Sequence, residues 1–148
     1  MAKIALIVGS VYGGAQYVAE QAESMLSGAG HQVLLFEEPK LDEVMAADAK
    51  AWLVITSTTG QGDIPDNLQP FYLDLKNRFP LLSGKPFAVV ALGDSSYDTY
   101  CGAGEQMREL LTEIQGNELA PMLKIDACET LEPENVALPW IEQQIKKI

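Results

Sequence analysis

The run Ile4-Ala5-Leu6-Ile7-Val8, followed at once by Gly9-Ser10-Val11-Tyr12-Gly13-Gly14-Ala15, decides how this chain is read. Five consecutive aliphatic residues suit a strand buried on both faces. The glycine-rich stretch after it is a tight turn, and from Gln16 the apolar period changes. Val18, Ala22, Met25, Leu26 and Ala29 recur at intervals of three and four, the pattern of one buried helix face, and Gly28 and Gly30 end it. A strand that feeds such a turn and then a helix points backbone N–H groups at one spot, at the positive end of the helix dipole. That arrangement suits a phosphate. The order GSVYGGA is neither GxGxxG nor GxxxxGK[ST], so neither a Rossmann dinucleotide site nor a P-loop is supported.

Outward from this unit the pattern repeats. His31 to Phe36 reads as a second strand and Leu41 to Ala47 as a short helix. Ala51 to Thr56 is a third strand, which empties into the polar loop Ser57-Thr58-Thr59-Gly60-Gln61-Gly62-Asp63. Pro65 and Asp66 start a helix through Phe71 and Leu75. Lys85 to Leu92 is a fourth strand, running into Gly93-Asp94-Ser95-Ser96-Tyr97-Asp98-Thr99-Tyr100-Cys101. A helix with Met107, Leu110, Leu111 and Ile114 on one face follows. Leu119 to Ile125 is a fifth strand, broken early by Pro121. After an acidic loop, the last helix turns Trp140, Ile141 and Ile145 inward. The alternation predicts one domain over residues 1–148: an α/β, doubly wound, five-stranded parallel sheet with helices on both faces. In the flavodoxin-like order 2-1-3-4-5, one of the orders open to such a sheet, the loops after strands one, three and four converge on one crevice at the topological switch point.

Composition narrows the function. Ten basic residues face twenty-one acidic ones, a formal net charge of −11, which disfavours nucleic acid and anionic membrane surfaces and favours a basic protein partner. No apolar run approaches the ~18 residues of a membrane span. Cys101 and Cys128 form no CxxC pair and no metal-ligand spacing, and His31 is the only histidine. Two reduced thiols, no metal site and a cytoplasmic location are the expectation. Gly93-Asp94-Ser95 is not a hydrolase elbow, since no GxSxG is present and the one histidine lies at the start of strand two. Tyr97 and Tyr100, aromatics on a polar crevice loop, suit stacking on a flat ring.

Taken together, GSVYGGA, STTGQGDIPDNL and ALGDSSYDTYCGAG, in this order and at these strand ends, resemble the flavodoxin family over essentially the whole chain. The resemblance is to the short-chain bacterial flavodoxins, the MioC-like group, and to the FMN domains of diflavin reductases. It implies an FMN cofactor and a one-electron carrier with no catalytic residues of its own. Ser10, Val11, Tyr12, Gly13, Gly14 and Ala15 match the loop that wraps the FMN phosphate. Ser57, Thr58, Thr59 and Gly60 match the loop beside the dimethylbenzene and N5 side of the ring, with Gly60 at the glycine whose peptide flips on reduction. Leu92, Gly93, Asp94, Tyr97, Tyr100 and Cys101 match the loop along the pyrimidine edge, with Tyr97 as the stacking aromatic.

Three departures stand out. Tyr12-Gly13-Gly14-Ala15 replaces a TGNT or TGTA loop and removes hydroxyl donors. Thr59 stands where many relatives have an aromatic, and Asp94 where some have Asn. The implied partners are a basic NAD(P)H-dependent flavodoxin reductase as donor and a redox acceptor protein. Asp63, Asp98, Asp126, Glu129, Glu132 and Glu134 would form the acidic rim that meets the reductase. Two other readings compete. An FMN-dependent quinone or flavin reductase of the same fold needs a nicotinamide nucleotide site, for which no basic cluster is present. A flavin-free receiver-type module needs an aspartate at the end of strand three, where this chain has Thr56-Ser57.

Overall fold

The computed structural model describes residues 2–11, 13–58, 62–96 and 100–148. Its elements follow the order β1 (Lys3–Gly9), α1 (Gly14–Gly28), β2 (Gln32–Phe36), α2 (Leu41–Ala46), β3 (Ala51–Ser57), α3 (Gln69–Arg78), β4 (Pro86–Gly93), α4 (Gly102–Glu113), β5 (Asn117–Glu118), β6 (Leu123–Asp126) and α5 (Pro133–Ile145). All ladders are parallel, and the strand order is β2-β1-β3-β4, with β5 and β6 both paired to β4.

The aliphatic runs behave as a two-faced sheet requires. Successive side chains along a strand point to opposite faces. Ala5 and Ile7 of β1, Trp52 and Val54 of β3, and Phe87 and Val89 of β4 lie in one apolar cluster with residues of α2, α3 and α4. Ile4, Leu6, Val8, Leu53, Ile55, Ala88 and Val90 lie in the other, under α1 and α5. Trp52 and Phe71 meet at a centroid distance of 5.9 Å and an interplanar angle of 56°, a tilted pair that fixes α3 on its face. Each such large side chain taken fully from water contributes about 1.5–3 kcal/mol, so the central strands are the stable part of the molecule.

Four expectations need adjusting. The fifth strand is two segments rather than one. Pro86 faces Asn117, but Val90 faces Leu123, so the edge chain carries two more residues than β4 over this stretch. Pro121, without an amide hydrogen, lies in the excursion. Helix α3 begins at Gln69, not at Pro65. Residues Pro65 to Leu68 form a turn in which the Leu68 and Gln69 amides both reach the Pro65 carbonyl. Pro70 then sits in the first helical turn, where its missing donor costs nothing. Ala29 is exposed rather than part of the buried face of α1, because the helix has already ended at Gly28. In α5, Ile141 and Ile145 are buried, but Trp140 is only half-buried, at the margin of the cluster. Among the described residues, no helix is long and apolar enough to cross a membrane.

Candidate functional site

Register brings the predicted loops together. Gly9 lies beside Thr56, Ser57 beside Leu92, and Gly93 beside Asp126. Adjacent strands are about 4.8 Å apart, so the loops after β1, β3 and β4 start within roughly 10 Å of one another. The loop after β6 joins them, a neighbour that the sequence indicated only as part of an acidic rim.

The first loop ends in an uncapped helix. Gly13 adopts φ 88°, a left-handed turn that costs glycine little, and no side chain caps α1. The first intrahelical bond runs from the Tyr17 amide to the Gly13 carbonyl at 2.9 Å. The amides of Gly14, Ala15 and Gln16 therefore precede the helical ladder, and no acidic residue occupies the first turn to compete for them. The Ser10 hydroxyl accepts the Gly13 amide at 3.0 Å, which leaves its own O–H to donate. Ala15 turns its methyl into the core and offers only its backbone, while Val11 is about half-exposed. This donor set suits a phosphate held without a cation.

The second loop is tied to both neighbours. The Ser57 hydroxyl donates to the Gly9 carbonyl at 3.4 Å, and Thr58 Oγ1 accepts the Ala103 amide at 3.2 Å. Gln106 Nε2 donates to the Gly62 carbonyl at 2.6 Å. A Cβ on Gly102 would lie 2.9 Å from Gly62 Cα, so only glycine there lets the start of α4 approach this loop.

The third loop is braced by two carboxylates. Asp94 Oδ1 accepts from the Ser96 amide (2.9 Å), the Ser96 hydroxyl (2.6 Å) and Cys128 Sγ (3.1 Å). Asp126 Oδ1 accepts the amides of Ser95 (3.1 Å) and Cys128 (2.9 Å). Hydrogen bonds to the ionised form favour it, so both carboxyls are held below their ordinary range. For Asp94 the Ser96 hydroxyl is the main cause, and for Asp126 it is the Ser95 side chain. Asp126 is buried and engaged within the protein, so it is a loop brace and not a free rim charge. Glu129 and Glu132 are exposed, and Glu134 is half-buried.

Tyr100 is half-buried, with Lys124 Nζ 5.9 Å from its ring centroid, and burial pushes its hydroxyl up to about 12. Cys101 is buried, donates to the Ala91 carbonyl at 3.6 Å, and has its thiol raised by burial, so only its backbone can face a ligand. A Cβ on Gly93 would meet Tyr100 Cδ1 and the Cys101 amide nitrogen, each at 3.0 Å, which shows how closely the loop folds back on β4. The expected contacts at Tyr12, Thr59, Gly60 and Tyr97, and the rim residue Asp98, lie outside the described residues.

A cleft of about 380 Å³ lies on the β2 side of Ser10, lined by Val8, Gln16, Glu37, Glu38 and Asn67 as well. Its two glutamates make it a poor place for a phosphate. Asn67 was not among the expected site residues. Its place two residues beyond Pro65 resembles any turn asparagine, and its partners are 30 or more residues away in sequence.

A doubly wound parallel sheet with an uncapped helix start and converging loops at its switch point is the architecture in which α/β proteins take up mononucleotides. The flavodoxin family model matches residues 6–140, and the chain belongs to that family. Flavodoxin YqcA of Escherichia coli K12 is 43% identical over 143 residues, spanning 97% of this chain and 96% of that one. Protein MioC of the same organism is 40% identical over 141 residues, 95% of each chain. A mutant of a flavodoxin from Pseudomonas aeruginosa superposes with a TM-score of 0.90 at 46% identity, again over 95% of each chain. The protein is a short-chain bacterial flavodoxin of the MioC-like group, its cofactor is FMN, and it transfers electrons rather than catalysing a reaction of its own. The flavin-free receiver reading falls on that finding.

Proposed function

We propose that the whole chain, residues 1–148, acts as one FMN-binding unit that carries single low-potential electrons from a basic NAD(P)H-dependent flavodoxin reductase to a redox acceptor protein. The observation that carries this reading is the uncapped start of α1, in register with the loops after β3 and β4. In it the FMN phosphate is held in the loop of Ser10, Val11, Tyr12, Gly13, Gly14 and Ala15, by the Ser10 and Tyr12 hydroxyls and by loop amides other than those of Ser10 and Gly13, which already donate to Asn67 Oδ1 and Ser10 Oγ. Ser57, Thr58, Thr59 and Gly60 line the dimethylbenzene and N5 side of the ring. Leu92, Gly93, Asp94, Tyr100 and the Cys101 backbone line the pyrimidine edge, and Tyr97 stacks on the ring.

Bound FMN supplies the electron-accepting ring, and the protein tunes it. Asp94, kept ionised by Ser96 and Cys128, sets a fixed negative charge at the mouth of the third loop. Together with the −11 net charge it opposes further negative charge in the site, which lowers the potential. The exposed Glu129 and Glu132 extend the acidic surface towards a basic partner.

Stepwise photoreduction of the purified protein, followed in the visible spectrum, tests the carrier reading. Oxidised flavin bands that bleach in two separate one-electron phases are expected. A single two-electron phase contradicts a one-electron carrier. Reduction by a basic reductase should slow as ionic strength rises past the point where the Debye length falls below about 10 Å, and a salt-independent rate would count against the acidic docking surface.

A further inference from the structure

Strand β2 stops pairing before β1 does. The ladder between them ends at Ile7 opposite Phe36, while β1 continues to Gly9. In a parallel ladder, the carbonyl of one residue and the amide two places on point to the same neighbour. The Val8 carbonyl and the Ser10 amide are therefore the next two groups that β2 would satisfy, and backbone groups inside a fold need partners. Asn67 fills that place. Its Nδ2 donates to the Val8 carbonyl at 2.8 Å, and its Oδ1 accepts the Ser10 amide at 2.9 Å. The second Nδ2 hydrogen reaches the Glu37 carbonyl at 2.7 Å, on the chain that is leaving the sheet. The side-chain amide imitates one peptide of the missing strand and holds the departing one.

Ser10 is the hinge between this buckle and the phosphate loop. With its amide fixed by Asn67, its hydroxyl accepts the Gly13 amide at 3.0 Å, and Gly13 opens α1. The relay Asn67–Ser10–Gly13 sets the angle at which the helix N-terminus meets its ligand. We propose that Asn67 is the positioning residue for FMN phosphate binding, aligning the loop through the Ser10 amide without touching the phosphate. This rests on the assignment of the phosphate to the 10–15 loop.

Riboflavin is the discriminating probe, because it keeps the ring and ribityl chain and lacks the phosphate. Apoprotein is titrated with FMN and with riboflavin by flavin fluorescence, for wild type, Asn67→Ala and Asn67→Gln. The glutamine variant keeps every donor and acceptor on a longer arm, so it serves if the alanine variant does not fold. In the folded variants FMN affinity should fall about tenfold or more, with riboflavin affinity within about threefold of wild type, as expected for a misplaced hydrogen-bond set. Equal losses for both ligands, or no loss for FMN, overturn the proposal. So does failure of both variants to fold in the presence of FMN, since the residue would then hold the sheet and not the loop. Wild type that binds riboflavin as tightly as FMN would instead overturn the assignment of the phosphate to this loop.

Discussion

Replacing Gly9 with alanine tests how the site is built into the sheet. Gly9 ends β1 and does not use a left-handed backbone, so alanine can adopt its conformation. The obstacle is space. A Cβ there would lie 2.5 Å from Thr56 Oγ1 and 2.8 Å from Leu68 Cδ2, both on fully buried side chains. Thr56 cannot swing away freely. It is β-branched, and its hydroxyl donates to the Ser57 carbonyl at 2.9 Å. Leu68 is packed among the residues of α3 and α4. Overpacking of this kind costs about 1–3 kcal/mol, and the lower entropy of the unfolded alanine chain returns about 0.4–1 kcal/mol. The mid-range net loss is about 1.3 kcal/mol, a fall in melting temperature of roughly 3–5 °C for a chain of this size. Thermal and urea unfolding of the apoprotein measure it. In a Thr56→Ala background the same substitution should cost less, because the nearer contact is gone, and the difference between the two costs is the coupling between the sites. An unchanged or higher stability for Gly9→Ala, or equal costs in both backgrounds, would refute the close approach of β1 and β3 as the reason for this glycine.

Two further outcomes follow from the loops. Ser10→Ala removes the acceptor of the Gly13 amide and a hydroxyl donor, so FMN affinity should fall about tenfold in a fluorescence titration, and an unchanged dissociation constant would show that the loop amides suffice without it. Asp94 and Asp126 titrate lower in the folded chain than in the unfolded one, so their contribution is whole above the ordinary carboxylate range and is lost as pH falls through their lowered folded values. Urea midpoints measured from pH 7 down to about pH 3 should therefore decline more steeply for wild type than for Asp126→Asn below about pH 4, and parallel declines would contradict the brace.

What was legible in the sequence was whatever repeats locally. Runs such as Ile4 to Val8 and Ala51 to Thr56 announce buried strands, and glycine-rich ends announce loops, so the parallel sheet follows from alternation, while its order and the converging loops follow from the resemblance that the three loop motifs carry. The break between β5 and β6 was only hinted at by Pro121, because an edge strand pairs on one side and tolerates a surplus. Asp126 looked like one more acid in an acidic loop. Its burial comes from the register of Gly93 with Asp126, which no local pattern encodes. Asn67 was hidden for the same reason. Its three partners come from two segments, the ends of β1 and β2, that only the folded sheet brings beside it.

The broken edge also decides how copies of this protein can stick to one another. One border of the sheet is interrupted by the excursion between Glu118 and Leu123, so it offers no unbroken row of amides and carbonyls to an incoming strand. The other border is β2, a continuous five-residue strand paired only to β1. Each molecule thus has one adhesive edge and one blunted edge. Among the described residues no second unbroken edge strand is present, so a pair formed through β2 would leave no such edge for a third copy.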